Sequence, residues 1–451
     1  MTVPWARAQP ILGLALPIAA VLLAQTVMGL VTIAMVSHLG DAAVAGVGVA
    51  NALFSMLMAL LFGVDAAVQA RVAQRFGARQ IPLAGAVLND GLALLAAAGA
   101  LLAVLGCAAG PAAMGLIVRD PAVVAHGLAW LDAALPGLPF LAAGFAFSAY
   151  RNGAGTPRHA LLVTLLQVSC GALLGYLLIF GAPGVPPLGT AGAGLGLALA
   201  ALVGLAAHLL LAMRIAPVPG ALRTPPSWPG IRDLLRIGLP VGLQQSLVYL
   251  GTAFTFAIVG LLSTGAVAAM DVVLAMMLLS ILPASGMGIA AATLVGTALG
   301  RGDAADARRW GWEVARLGSL LILAFSVVIV VAPGPVLGLF VADRATIEAA
   351  ALPLAVMAMG MGVDAFGRIL GFALRGAGAT RLVATVSFAL QWGVQLPLSW
   401  LIGVHFGLGL LGIAINRLVL IAAESLILTL MWRNGFWVPL DADATREGRG
   451  H

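Results

Sequence analysis

The sequence "AYRNGAGTPR" (Ala149–Arg158) returns as "ALRGAGATR" (Ala373–Arg381), and the Gly-Ala-Gly of the two copies is 223 residues apart. Two further pairs of segments share this separation: "LALPIA" (Leu14–Ala19) with "IGLPVG" (Ile237–Gly242), and "VAQRFGARQ" (Val72–Gln80) with "VGTALGRGD" (Val295–Asp303). Three landmarks with one offset, spread over most of each half of the chain, indicate a duplicated sequence.

The chain is too apolar for a water-exposed domain. Of its 451 residues, 62% are hydrophobic and 9% are charged, whereas a typical soluble domain has roughly 25% charged residues. Apolar runs recur from end to end, and each reaches the length of about 20 residues that crosses a hydrocarbon core. A β-barrel would show short alternating segments instead. The sequence therefore predicts an all-α integral membrane protein.

We place twelve transmembrane helices along the chain. Their predicted positions are 11–37, 44–70, 82–107, 123–149, 159–181, 190–213, 234–260, 266–297, 311–332, 347–373, 382–404 and 409–432. An even number of helices puts both termini on one side of the membrane. Of the Arg residues outside the apolar runs, 19 fall on that side and two, Arg119 and Arg344, on the other. The positive-inside rule therefore predicts cytoplasmic termini.

A proline-rich segment, "APVPGALRTPPSWPG" (Ala216–Gly230), separates the two copies. The predicted organisation is an N-terminal six-helix lobe (1–215), a cytoplasmic linker (216–233), a C-terminal six-helix lobe (234–433) and a cytoplasmic tail (434–451). With six helices each, the two pseudo-symmetric lobes have the same orientation in the membrane. Internal repeats of this kind are typical of transporters, which handle their substrate between the halves.

The repeated Gly–Arg phrases are interpreted as helix ends. Glycine supplies the turn, and Arg satisfies carbonyl groups and meets lipid headgroups; direct contact with a substrate is the alternative. Asp90 and Glu313 occupy equivalent repeat positions near helix starts, where acids suit the helix dipole, so both are assigned a structural role. Pro17 and Pro240 interrupt the hydrogen-bond ladders of the first and seventh helices and predict hinges there.

Three segments resemble the multidrug and toxic compound extrusion (MATE) family. They are "QTVMGLVTIAMVSHLGDAAVAGVGVA" (Gln25–Ala50), "GMGIAAATLVGTALGRGDAADARRW" (Gly286–Trp310) and "DAFGRILGFALRGAGATR" (Asp364–Arg381), which resemble its first, eighth and tenth helices. The resemblance covers residues 10–433. It implies a V-shaped bundle of two six-helix lobes, alternating access, and export of drug-like molecules against inward flow of Na⁺ or H⁺.

The same resemblance implies where ion coupling is located. Many members carry an acid in the first helix where this chain has Thr32, and N-lobe-coupled members have Asn and Asp where it has Gly171 and Gly175. The sodium-coupled branch has a Glu where this chain has Val248. The tenth-helix Asp of the family is present as Asp364, so any family coupling is expected in the C-terminal lobe.

Charged residues inside the apolar runs are the candidate functional residues, because each costs at least about 2.5–3.5 kcal/mol to insert. Five are acidic and two are basic: Asp65, Asp132, Asp271, Asp364 and Glu424 against Arg368 and Arg417. A cavity lined by that balance would attract cations. Lipophilic organic cations are therefore the expected cargo.

We predict an ion-coupling cluster of Asp364, Arg368, Glu424 and Asp271. A permanent structural ion pair between Asp364 and Arg368, four residues apart on one helix, is the alternative for that pair. If Asp364 carries a proton, its contact with Arg368 has to loosen in one conformation. Asp271 matches Arg417 in predicted depth, and a structural salt bridge between them is equally compatible with the sequence.

The expected substrate-cavity residues are Asp132, Asp65, Met276, Met287 and Met361. Methionine-rich surfaces suit promiscuous binding, although ordinary core packing also explains the three methionines. Asp132, midway along the fourth helix, is the N-lobe substitute for the missing family acids, with a structural role as the alternative. Asp65 has the alternative of stabilising Arg residues that follow it in the same helix.

Several function classes are excluded or unsupported. All 23 basic residues are Arg, so no Lys can form a Schiff base. Cys107 and Cys170 lack metal-ligand spacing, and we predict no metal, cofactor or nucleic-acid partner.

The expected protein is a monomeric secondary antiporter in the bacterial cytoplasmic membrane that exports cationic or amphipathic compounds in exchange for H⁺ or Na⁺. A flippase of a lipid-linked substrate remains the alternative transporter, and a membrane-embedded transferase would need a clustered catalytic motif.

Overall fold

Long apolar runs become long helices. A computed structural model describes residues 3–184, 186–338, 340 and 343–437. In that part of the chain the helices are α1 (Trp5–Ser37), α2 (Asp41–Gly77), α3 (Ile81–Ile117), α4 (Pro121–Gly153), α5 (Pro157–Phe180), α6 (Thr190–Ile215), α7 (Trp228–Gly260), α8 (Thr264–Gly300), α9 (Ala304–Val331), α10 (Pro333–Gly338), α11 (Arg344–Met359), α12 (Met361–Gly376), α13 (Thr380–His405) and α14 (Gly409–Asn434).

The prediction of twelve spans is confirmed, except that one of them is a bent pair of helices and not a single continuous helix. Eleven helices are long and apolar enough to cross a membrane, and α11 with α12 makes a twelfth span that is bent by 49°. The predicted continuous helix at 347–373 is therefore wrong. Gly360 lies at the break, and a side-chain carbon there would be 2.7 Å from the Leu418 side chain of α14. The nearest atom is the end of the Leu418 side chain, which would have to move to accommodate a larger residue at the bend.

Several helices run past the predicted ends. The second helix was expected at 44–70, but α2 has 37 residues, which at a rise of 1.5 Å per residue gives about 55 Å. That length exceeds a hydrocarbon core of about 30 Å, so hydropathy alone marked only the central part. Two of the interruptions coincide with proline: a tight turn at Leu135–Gly137 contains Pro136, and Pro397 is flanked by the wide π-helical turns Gln391–Gln395 and Leu401–His405.

The repeated phrases are helix ends, as predicted. Gly155 and Gly378 have φ angles of +74° and +95°, which glycine adopts without strain. In both copies an amide beyond the turn returns to a carbonyl of the last helical turn, Thr156 N to Arg151 O at 2.8 Å and Ala379 N to Leu374 O at 2.9 Å. Arg151 does not reach outward to lipid headgroups, because it is 5% exposed and donates to Ala216 O at 2.7 Å.

By packing, the chain divides into two units whose boundaries fall inside α1 and α7. One unit is Ala20–Ser246, and the other joins the described residues up to Ala19 with those from Leu247 onward. These boundaries differ from the predicted lobes, which were separated at the linker. Pro17 and Pro240 each lie within two helical turns of a boundary and inside an unbroken helix. Their role as hinges stays a prediction.

Small residues bring the helices of the Ala20–Ser246 unit together. A side-chain carbon at Gly192 would lie 2.4 Å from Leu178 O, and one at Gly194 would lie 2.2 Å from Trp130 O. The backbone of α6 therefore lies directly against α5 and α4, which is how membrane helices associate when apolar burial offers no driving force. Gly63 of α2 meets Gly238 and Gly242 of α7 in the same way.

The linker is bound to α3 in this unit. Helix α7 begins at Trp228, earlier than the predicted 234. The Asn89 amide donates to the carbonyl oxygens of Gly220 and Thr224, both at 3.0 Å, and accepts from Leu222 N at 2.7 Å. The Asp90 carboxylate accepts from Ser227 N at 2.6 Å. Asp90 lies nine residues into α3, so its role is to hold the linker and not to cap a helix start.

The second unit anchors the start of α1 through the repeat counterpart of Asp90. Glu313 of α9 forms an ion pair with Arg7, whose guanidinium also donates to Asp306 at 3.0 Å. One apolar cluster of this unit is built around Trp432, which is fully buried and packs on Gly311, where a side-chain carbon would be 2.2 Å from the indole. Asp90 and Glu313 therefore both hold the segment that leads into the first helix of a repeat.

Candidate functional site

The break between α11 and α12 places Asp364 in the first turn of α12. Gly360 N donates to Met357 O at 3.0 Å, and Asp364 N donates to Gly360 O at 2.8 Å. An acid in the first turn suits the positive end of the helix dipole. Its side chain is 15% exposed, so the carboxylate is largely shielded but accessible.

Arg368 binds this carboxylate from the next turn of α12. Its Nη2 and Nε donate to Asp364 Oδ2 at 2.7 Å and 3.2 Å. Both donors use one oxygen, and Oδ1 makes no hydrogen bond to any described residue. The predicted i to i+4 pair is present in this conformation, which fits both a permanent structural pair and one that opens during a cycle.

Glu424 of α14 lies beside the pair because α12 and α14 cross in backbone contact. A side-chain carbon at Gly367 would lie 2.6 Å from Ser425 Cα. Glu424 accepts from Ser387 Oγ of α13 at 2.7 Å, and it interacts electrostatically with both Arg368 and Arg375. Glu424 is thus a neighbour of the Asp364–Arg368 pair, and the role of these three residues in ion coupling stays a prediction.

Asp271 is not part of this cluster. It is exposed on α8, and within the described ranges it has no hydrogen bond or ion pair. Its expected partner, Arg417, donates to Gln395 Oε1 at 2.8 Å instead. The expectation rested on predicted depth, and depth does not specify which way a side chain faces around its helix.

Sequence reasoning missed a polar stripe on α13. Ser387, Gln391, Gln395 and Ser399 recur every four residues, which is one face of a helix. Three contacts use this face besides the Glu424 bond: Gln391 donates to Val248 O at 3.3 Å, Arg417 donates to Gln395, and Asn416 donates to Ser399 Oγ at 2.8 Å. The four-residue spacing of polar residues in an apolar run was the available signal.

The two candidate acids of the N-terminal lobe, Asp132 and Asp65, form no ion pair with a base among the described residues. Asp132 is exposed on α4. Asp65 is half-buried on α2, and no hydrogen bond or ion pair to it is present among the residues that the structure describes. The expectation that Asp65 stabilises nearby Arg residues is wrong, because Arg71 pairs with Asp233 at 2.6 Å and Arg75 donates to Gln80 at 2.6 Å.

The positions where family members carry N-lobe acids are filled by apolar packing. Side-chain carbons at Gly171 and Gly175 would meet the methyl groups of Met28 and Met35, each at 3.4 Å. Thr32 donates to Met28 O at 2.9 Å within its own helix. The surroundings of these two glycines are therefore apolar side chains, including Ala200 beside Gly171.

The three methionines expected in a substrate cavity lie in packed interior. Met276, Met287 and Met361 are 4%, 5% and 1% exposed. Their neighbours are apolar side chains of the second unit. In this conformation they fill the core, which was the packing alternative, and they do not line an open cavity.

Fold and sequence together define a duplicated twelve-helix membrane protein. The family model for MatE matches residues 17–177 and 240–401, one match in each repeat. The chain belongs to the MatE family, the MATE multidrug efflux transporters.

Curated relatives and solved structures agree with this assignment. A probable multidrug resistance protein NorM from Bradyrhizobium diazoefficiens is 33% identical over 90% of this chain and 88% of that relative. Its counterpart from Thermotoga maritima is 27% identical over 95% of this chain and 92% of that relative.

Among solved structures, a MOP superfamily transporter from Pyrococcus furiosus, described as having a binding pocket of reversed polarity, has a TM-score of 0.87 at 20% identity and covers 95% of both chains. A eukaryotic MATE transporter has a TM-score of 0.86 at 19% identity and covers 98% of both chains. At such identities the structures show the fold alone.

Proposed function

We propose that the protein exports cationic or amphipathic small molecules in exchange for protons, by alternating access of its two lobes. The cycle would run in a bacterial cytoplasmic membrane, with a monomer whose termini are both cytoplasmic. The observation that carries the proposal is the largely buried Asp364–Arg368 pair directly after the bend in the α11–α12 span. An intramembrane ionisable pair is costly and therefore marks a functional site by default.

Exposed acids on transmembrane helices support a cationic cargo. Asp132 and Asp271 are both exposed, and in the described part of the chain neither is neutralised by a base within 4 Å. An organic cation can approach either carboxylate from the exposed side. Relatives named multidrug resistance proteins support a small molecule as cargo.

The surroundings of Asp364 favour H⁺ over Na⁺ as the coupling ion. Sodium needs several oxygen ligands around one point, as hard cations do. Here Arg368 places a positive charge 2.7 Å from the carboxylate and repels a metal cation from it. A proton needs only one carboxylate oxygen and no further ligands, so it can bind once the contact with Arg368 loosens.

The packing boundaries support alternating access. Helices α1 and α7 each pass from one unit to the other close to Pro17 and Pro240. Proline removes a backbone hydrogen bond and lowers the cost of bending a helix at that level. We propose that both prolines act as hinges when the lobes change orientation.

Ethidium efflux from proteoliposomes under imposed gradients tests the proposal. Wild-type protein should release ethidium faster when the outside is acidified, with no response to a sodium gradient. Asp364→Asn should abolish the response to acidification. Asp41→Asn, an acid-to-amide change at an exposed position at the start of α2, is the matched control and should behave like wild type.

Three results would count against the proposal. Full gradient-driven efflux by Asp364→Asn at normal expression would show that Asp364 does not couple transport. Efflux driven by sodium alone would overturn proton coupling. Absence of gradient-dependent transport of every cation tried would overturn the exporter itself.

A further inference from the structure

Proton binding at Asp364 would leave Arg368 without its carboxylate partner. The pair forms hydrogen bonds of 2.7 Å and 3.2 Å within a transmembrane span. The Arg368 side chain is 29% exposed, and a guanidinium that loses its carboxylate inside a transmembrane span is destabilised, because a charge there needs a partner. A proton-coupled cycle therefore requires a second anionic partner for Arg368 within reach.

Glu424 is positioned to be that partner. Arg368 and Glu424 each lie one residue from the backbone contact between Gly367 and Ser425 at the α12–α14 crossing. Glu424 attracts the Arg368 guanidinium but does not form an ion pair with it within 4 Å in this conformation, among the described residues. Its carboxylate is held by the Ser387 hydroxyl at 2.7 Å.

We propose, resting on the proposed proton antiport, that Arg368 exchanges carboxylate partners during the cycle. When a proton binds a carboxylate oxygen of Asp364, the guanidinium, which keeps all its protons, moves to the ionised Glu424. When the proton leaves, the guanidinium returns to Asp364. Glu424 acts as a positioning residue: it carries no proton and touches no cargo, but it sets how easily Asp364 is released from Arg368.

No other acid on the helices around α12 can take this role. The acids Asp306 and Glu313 of α9 form ion pairs with Arg7. The base Arg417 of α14 donates to Gln395. The remaining titratable groups on these helices apart from Arg375 are exposed: Asp271, Arg308, Arg309, Arg316, Arg344, Glu348, Arg381, His405 and Arg433. Arg375, two helical turns further along α12, is also attracted by Glu424, and its guanidinium lies 5.1 Å from the centre of the Phe372 ring.

The pH profile of proton-driven ethidium efflux tests the exchange. Glu424→Gln removes the second partner, so Arg368 stays on Asp364 and the half-maximal pH should fall by about one unit, a tenfold higher proton concentration. Ser387→Ala frees Glu424 to approach Arg368, so the half-maximal pH should rise. A purely structural role for either residue would lower activity at every pH and would not shift the two profiles in opposite directions.

The outcomes separate this proposal from the proposed function. If Asp364→Asn is inactive but neither Glu424→Gln nor Ser387→Ala shifts the profile, the exchange is overturned and proton antiport stands. If Asp364→Asn transports normally, the proposed function fails first. Should Glu424→Gln not yield monodisperse protein, Ser387→Ala decides alone: a rise in half-maximal pH supports the exchange, and no change or a fall overturns it.

Discussion

Single glycines set the geometry of the Asp364 cluster. Gly367 and Gly371 lie one turn apart on α12, and both are buried, but only Gly367 is in backbone contact with α14. A side-chain carbon at Gly367 would lie 2.6 Å from Ser425 Cα, whereas one at Gly371 would have its nearest neighbour at 3.5 Å, the Leu428 methyl group. The crossing that brings Arg368 and Glu424 together therefore depends on one residue.

Gly367→Ala should destabilise the protein, while Gly371→Ala should not. The added methyl group at position 367 meets backbone that cannot move cheaply, and overpacking of this kind costs about 1–3 kcal/mol. At position 371 the contacts are ordinary, and alanine in place of glycine within a helix gains up to about 1 kcal/mol. Thermal unfolding of the two purified variants in detergent measures the difference. Equal unfolding temperatures would show that the Gly367 contact is not tight.

At the scale of elements, the linker between the two repeats is held against α3 by side-chain hydrogen bonds. Asn89 satisfies two carbonyl groups and one amide of the linker, and Asp90 satisfies Ser227. These linker residues are exposed or half-buried, so water replaces part of a lost hydrogen bond and each bond contributes about 0.5–1.5 kcal/mol. The equivalent acid in the other repeat, Glu313, binds Arg7. Duplication has thus preserved an anchor for the start of a helix while changing the group it holds.

Asn89→Ala should release the linker and expose it to protease. The variant leaves the carbonyl groups of Gly220 and Thr224 without their donor, so the backbone around Arg223 opens more often. Trypsin should then cleave after Arg223 several times faster than in wild type, measured by fragment analysis of detergent-solubilised protein. Gln80→Ala, a change at the start of α3 that leaves the linker contacts intact, is the control. An unchanged cleavage rate in Asn89→Ala would contradict the inference that Asn89 holds the linker against α3.

The number of transmembrane helices could be predicted from the sequence, but their bends and the orientation of their side chains could not. Apolar runs and the 223-residue repeat predicted twelve spans, because length and hydropathy suffice for that inference. The bend at Gly360 lay inside an uninterrupted apolar run, where a straight helix fits the same residues. Asp271 and Arg417 matched in depth but face different neighbours, since rotation about a helix axis is set by packing and not by depth.

In the whole molecule, both repeats keep an acid that holds a helix start, Asp90 and Glu313, but only the C-terminal repeat has the charged group around Asp364. In the N-terminal repeat the positions of the family's polar residues hold Thr32, Gly171 and Gly175, and the methyl groups of Met28 and Met35 lie against the two glycines. The C-terminal repeat keeps Asp364 and surrounds it with Arg368 and Glu424. Coupling is therefore expected in one half, and the other half would follow through α1 and α7, which belong partly to each packing unit.

Cargo-driven proton movement tests the central claim most directly. Proteoliposomes containing a trapped pH indicator and no imposed gradient receive an external pulse of ethidium. Wild-type protein should move protons out as ethidium enters, so that the lumen becomes more alkaline, and Asp364→Asn should give no pH change. An equal proton signal from Asp364→Asn, or ethidium uptake by wild type without any proton movement, would contradict the account.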